Sequence, residues 1–247
     1  MENTTITIKY FKVLLLLWVT IIIGCQDAET IDTKNVFEKA QKSDSLSNYF
    51  PSILNDTIVT KNPMFRNFAQ NWYSCSLYSF KEPILFTKTD SQTIYRLLWL
   101  RSFDKPVCFT MKEQNGHYFL NAKTLDRQPA FYPSIEGKGV DEKTGKEIAD
   151  TIQKADRFAL IDFDTVCVLT AGNWKTIEKY ASETDFWNAP IEDPESRPND
   201  GSDMVFEGRK DEKYHFITRQ MSTKDLLSLA KKLIKWSGMR ISDKSIY

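Results

Sequence analysis

The chain has 247 residues, 41% of them hydrophobic, with 33 basic and 33 acidic side chains and two histidines. A balanced charge offers no electrostatic funnel for nucleic acid, so no nucleic-acid partner is expected. With only His117 and His215 present, any histidine acid or base chemistry must fall on those two.

The first element is a leader. Lys9 and Lys12 flank an apolar run from Val13 to Ile23, closed by Gly24 and Cys25. As a helix that run spans about 16 Å, against a hydrocarbon core of about 30 Å. It reads as the h-region of a signal peptide, residues 1–24, rather than as an uncleaved anchor. Ile22-Ile23-Gly24-Cys25 resembles the bacterial lipobox, with isoleucine where leucine is usual. The resemblance implies that Cys25 is acylated and becomes the new amino terminus, holding the protein on a bilayer without a spanning helix. Gln26, in place of the aspartate that retains lipoproteins at the inner membrane, favours the outer membrane. Without residues 1–24, 31 basic and 32 acidic residues remain.

Residues 25–50 are polar without a sustained period and read as a flexible tether, with room for a short helix around Val36 to Lys42. Residues 51–247 suffice for one domain with its own core. Asn62-Pro63 is a helix start, and Phe65, Phe68, Trp72, Cys75 and Ser79 then recur at helical spacing until Pro83 ends the segment. "TIYRLLWLR" sets Tyr95, Leu97, Trp99 and Arg101 against Ile94, Arg96, Leu98 and Leu100, a strand with at least one buried face. Asn115-Gly116 is the turn of a hairpin that pairs Met111 with Leu120, Phe109 with Ala122 and Lys112 with Phe119, and leaves His117 solvated.

After a proline- and glycine-bearing crossover from Asp126 to Thr144, Ile148, Ile152 and Ala155 suggest a helix, and an ambiguous apolar run "FALIDFDTVCVL" follows. A helix beginning near Thr170 turns Trp174, Ile177 and Ala181 inward, with Phe186-Trp187 closing its end. A proline-rich loop leads to a hairpin from Met204 to Arg219. The last helix has Ser222 and Asp225 as a cap, an inward row of Leu226, Leu229, Ala230, Leu233 and Ser237, and Gly238 as its stop. Lys224, Lys231, Lys232 and Lys235 take much of its other side, as a solvated face or a contact for anionic head groups. The expected fold is α+β, a mostly antiparallel sheet with helices packed on one side in a single domain.

Known catalytic signatures are missing from this chain. "GVDEKTGKE" has the wrong spacing for a phosphate loop, and there is no G-x-S-x-G, G-x-G-x-x-G, C-x-x-C or H-E-x-x-H, so neither a cofactor nor a zinc site is expected. Cys75, Cys108 and Cys167 allow at most one disulfide. Asp162 and Asp164 would share one face of a strand, either as a paired-carboxylate or cation site or simply in solvent. In the Met204–Arg219 hairpin, a two-residue loop sets Glu207 opposite Phe216, and a three-residue loop sets it opposite His215. In the second register Glu207 could orient His215, with Arg219 and Arg101 adding positive charge for an anionic ligand. The other outcome is a structural hairpin with a polar face.

Asp200-Gly201, Glu207-Gly208, Tyr214-His215 and Arg219, with "YRLLWLRSF" and "ETDFWNAP", resemble a pattern in a group of uncharacterised bacterial proteins, over residues 68–238. The chain departs from that pattern at Met204, Glu212 and Gln220-Met221-Ser222. The resemblance implies a domain and brings no activity. Three functions are therefore carried forward. The first is a lipid-anchored envelope protein that binds or assists a protein or anionic partner without catalysis. The second is a hydrolase or lyase using Glu207 and His215, and the third an immunity or inhibitor protein.

Overall fold

The run Ile94–Arg101 is apolar on both sides of its alternation, so it can only sit with both faces covered. It does: all eight residues are buried. In the computed structural model, which describes residues 49–51, 53–54, 57–58, 72–88, 91–129, 138–140, 147–149, 158–192, 201–220 and 224–246, this segment is β3 of a six-stranded antiparallel sheet. Two short strands precede it, β1 (Ile53–Leu54) and β2 (Thr57–Ile58), as does a one-turn-and-a-half helix α1 (Ser74–Ser79).

β4 (Val107–Gln114) and β5 (His117–Leu125) form the hairpin expected at Asn115-Gly116, where both turn residues have positive φ, 53° and 77°. Met111 pairs with Leu120, Phe109 with Ala122 and Lys112 with Phe119, and His117 is exposed. β6 (Lys138–Val140) and β7 (Glu147–Ala149) pair as a separate small ribbon. Ile148 therefore belongs to a strand and not to the expected helix, because its backbone is paired with Gly139; Ile152 and Ala155 lie outside the described residues.

The ambiguous apolar run resolves into β8 (Ile161–Leu169), paired with β5. Helix α2 (Ala171–Glu183) follows, capped by the Thr170 side chain accepting from the Asn173 N–H. β9 (Ser202–Lys210) and β10 (Lys213–Gln220) complete the sheet in the order β10-β9-β3-β4-β5-β8. Helix α3 (Lys224–Ser237) buries Leu226, Leu229, Ala230, Leu233 and Ser237, and Gly238 follows at a φ of 68°, the left-handed stop its sequence announces. The expected Ser222 cap lies outside the described residues.

The two long helices share one face of the sheet. Trp174, Ile177, Leu226 and Leu229 pack there against Tyr95, Leu97, Trp99 and Phe109. The opposite face carries a second layer: Tyr49, Phe50, Tyr73, Leu77 and Phe80 cover Leu98, Leu100, Val205 and Phe216. Tyr49 and Phe50, assigned in sequence to the end of the tether, are thus core residues, 2% and 5% exposed. The helical run before Pro83 ends earlier than expected, at Phe80, and Lys81 turns the chain with a φ of 55°. Asn62-Pro63, Phe65 and Phe68, the leader and the rest of the tether lie outside the described residues. The described part is one α+β domain with three helices against an antiparallel sheet.

Candidate functional site

Register decides the chemistry of the β9–β10 hairpin. Lys210 pairs with Lys213, so the loop is the two residues Asp211-Glu212, and Asp211 takes the positive φ, 56°, that a glycine would otherwise supply. Glu207 then stands opposite Phe216, and His215 opposite Gly208. Successive side chains on a strand alternate faces, so Glu207 points into the second layer while His215, Arg219 and, on β3, Arg101 point to the helix side. The acid–base pairing of Glu207 with His215 does not stand: the sheet itself separates them.

Glu207 is held instead by Arg96, its directly opposite neighbour on β3. The Arg96 Nε donates to Glu207 Oε2 at 2.8 Å and Nη2 donates to the same oxygen, while the Tyr214 hydroxyl donates to Oε1 at 2.9 Å. Arg96 Nη1 donates to the Pro83 carbonyl at 2.8 Å and stands 3.7 Å from Glu82. Glu82 in turn accepts from Lys123 Nζ at 2.6 Å and from the Thr110 hydroxyl at 2.8 Å; Lys123 also donates to the Phe80 carbonyl. All four charged groups are buried, Arg96 fully.

Two cations and two anions cancel, and the Thr110 and Tyr214 hydroxyls and the Phe80 and Pro83 carbonyls add hydrogen bonds, which makes such burial tolerable. Burial alone would raise the Glu82 carboxyl, but Lys123 and Arg96 together hold it below its ordinary value. For Glu207 burial wins over Arg96 and Tyr214, and its carboxyl sits above the usual range. The Tyr214 phenol is pushed far up by burial and by Glu207, so it stays a proton donor.

His215 is committed on the other face. Its Nε2–H donates to the Ala189 carbonyl at 2.9 Å, and its ring meets Phe186 edge-on at 5.3 Å. Burial, with Arg219 nearby, lowers its pKa and keeps the ring neutral. Arg219 donates to the carbonyls of Ile191, Thr218 and Pro190. Arg101 donates to the carbonyls of Lys105 and Ser245 and lies over Trp99, 5.0 Å from the ring centroid. The four candidate residues therefore do not converge on one site: Glu207 joins β9 to β3 and β10, His215 and Arg219 fasten the 189–191 segment to β10, and Arg101 holds the segments at Lys105 and Ser245.

The short motifs do converge, as packing. A Cβ on Gly208 would lie 2.6 Å from the Phe186 ring and 3.2 Å from Tyr95, so this strand position must be glycine. Tyr95 and Arg96 of "YRLLWLRSF", Phe186 and Ala189 of "ETDFWNAP", Glu207-Gly208 and Tyr214-His215 form one lattice through the sheet. Arg96, Glu82 and Lys123 were not singled out from sequence. Only Arg96 carried a signal, a guanidinium sharing its strand face with Ile94, Leu98 and Leu100.

A groove of about 490 Å³ opens at the other end of β3, lined by Arg101, Lys105, Asp162, Phe163, Met239 and Arg240. Lys105 and Asp162 pair across it at 2.7 Å, and Asp164 accepts from Asn121, so the two aspartates serve separate partners. Among the described residues no group of three or more His, Cys, Asp or Glu could hold a metal ion. Cys75, Cys108 and Cys167 are free thiols, and burial pushes the Cys108 thiol far above the range where it could act as a nucleophile. No family model matches the chain, and no curated protein matches it either.

Proposed function

We propose that the protein is an envelope lipoprotein, acylated at Cys25 and held at the outer membrane, whose α+β domain is a non-catalytic binding or accessory module. The observation that carries the second half is the fate of the acid and the base. Glu207 is enclosed by Arg96 and Tyr214 on one face of the sheet, and His215 is tied to Ala189 on the other. An acid–base pair must reach one bound substrate together, and a β-sheet between the two side chains forbids it. The first half rests on the leader, an apolar run too short to span a bilayer and ended by Gly24-Cys25.

The anchor is tested by replacing Cys25 with alanine. Fatty-acid labelling should vanish and the protein should leave the membrane fraction; labelling and retention as in the wild type would overturn the assignment. The binding role is tested by a broad hydrolase screen of the chain from Cys25 to Tyr247. Reproducible turnover that is lost on replacing His215 or Glu207 is the result that sinks it.

A further inference from the structure

Helix α3 presents a second surface that no other element covers among the described residues. Over its 14 residues it carries Lys224, Lys231, Lys232 and Lys235, all exposed, with Ser228 between them. At 3.6 residues per turn these five positions fall within an arc of about 100°, directly opposite the buried row of Leu226, Leu229, Ala230, Leu233 and Ser237. Arg240 and Lys244, also exposed, continue the positive charge past Gly238.

What sets this stripe apart is its clustering. Lys105, Lys123, Lys179 and Lys210 each pair with a carboxylate, and Lys81, Lys175 and Lys213, exposed without an ion pair among the described residues, are scattered over separate elements. None of the four α3 lysines makes an ion pair among the described residues, and Lys231 and Lys235 repel at i,i+4. The helix dipole favours Lys235 in the last turn but disfavours Lys224 at the first residue. With 31 basic against 32 acidic residues after the leader, the chain as a whole has no positive excess, whereas this helix sets four exposed lysines against a single carboxylate, Asp225 at the edge of the stripe.

We propose that the lysine face of α3 docks on anionic phospholipid head groups of the bilayer that holds Cys25. The inference rests on the lipoprotein reading for its proximity and on charge complementarity for its affinity. The 24 peptide steps from Cys25 to Tyr49 reach at most about 80 Å, against a diameter of about 40 Å for a domain of this size. Tyr49 packs on the sheet face opposite α3, and that reach is enough to turn either face to the membrane. Each lysine near an anionic surface multiplies partitioning about fivefold, so four supply on the order of several hundredfold. That is weak for a free protein and sufficient for a tethered one.

The test uses the acylated chain from Cys25 to Tyr247 in phosphatidylcholine vesicles with and without phosphatidylglycerol, reading amine labelling of each lysine by mass spectrometry. Docking lowers the reactivity of the four α3 lysines in the anionic vesicles only, and ~0.5 M salt restores it. Lys213, exposed beside the hairpin loop, stays unchanged. Lys231→Gln with Lys235→Gln, both on the side away from the core, should weaken protection of Lys224 and Lys232 about 25-fold in the vesicle titration. Equal reactivity in both vesicle types overturns the proposal even where Cys25 is acylated, and so does protection by an acidic protein in place of the vesicles. Should Cys25 prove bare, the unacylated chain is expected to show the same pattern of protection only at high concentrations of anionic vesicles, so the anchor and the surface fail separately.

Discussion

Arg96 is the residue on which the second layer depends. It is fully buried between Glu207 and Glu82, and it reaches the Pro83 carbonyl as well, so one guanidinium ties β9, β3 and the covering segment together. Replacing it with methionine roughly keeps the volume and leaves Glu207 without a cation, while Glu82 keeps Lys123, and should cost about 3–5 kcal/mol. Arg96→Met combined with Glu207→Leu should recover part of that loss, because the pair is then exchanged for apolar packing; urea unfolding of the two single variants and the double variant measures the coupling. No recovery would mean that Arg96 serves Glu82 and Pro83 more than Glu207. Glu82 also sets a pH dependence. Its carboxyl is held below the ordinary 4.5, so its contribution is complete above that value and is lost as pH falls through the lower folded value. Glu207, raised in the fold, acts in the opposite direction. Since Glu82→Gln keeps Glu207 in place, the difference between its stability–pH curve and that of the wild type reports Glu82: the acid limb below about pH 4.5 should flatten. Parallel acid limbs would show that Glu82 is not held ionised by Lys123 and Arg96.

The β9–β10 hairpin shows how one loop residue determines which face each functional group takes. Asp211 sits at a φ of 56°, a region that aspartate tolerates and glycine prefers. Asp211→Gly should therefore stabilise the protein by roughly 0.5–1 kcal/mol, and Asp211→Val should destabilise it by about 1–2 kcal/mol. Thermal unfolding distinguishes the two signs, and a loss with glycine would argue against the two-residue loop. This is also where the sequence became unreadable. Asn115-Gly116 declares its turn type, and the pairing of Met111 with Leu120 follows from it. Asp211-Glu212 declares nothing, and a slip of one residue would have carried Glu207 to the other face. The helices were legible because a 3.6-residue period needs only local sequence: Leu226, Leu229, Ala230 and Leu233 in α3, Trp174, Ile177 and Ala181 in α2. Partners could not be read that way. Arg96 and Glu207 are 111 residues apart, and Glu82 comes from a loop with no period at all. The glycine at 208 was visible, but its reason, the ring of Phe186 pressed against it, belongs to another element.

At the scale of the whole molecule the sheet is a partition with a layer on each side. Glu207, Arg96 and Thr110 sit in register on β9, β3 and β4, and Lys123 on β5 extends this polar row across four adjacent strands. Glu82 closes the row from above, and apolar contacts from Leu77, Phe80, Tyr73, Phe50 and Tyr49 surround it, so water is kept from the charges only while that layer is seated. The layer reaches back to the end of the segment that leads from the proposed anchor. Tyr49 donates its backbone N–H to the Ser74 hydroxyl at 3.1 Å, and the Phe50 ring lies 4.8 Å from Phe216 and 6.2 Å from Tyr73. The folding unit therefore includes these two residues, which composition had placed in the tether. A chain beginning at Asn48 keeps Tyr49 and Phe50 and serves as the reference for urea unfolding. One beginning at Ser52 loses two buried aromatic side chains from the rim of the charge row and should be less stable by about 5 kcal/mol. Equal midpoints for the two truncations would show that Tyr49 and Phe50 rest on the domain without stabilising it, and that the second layer is held by α1 and Glu82 alone.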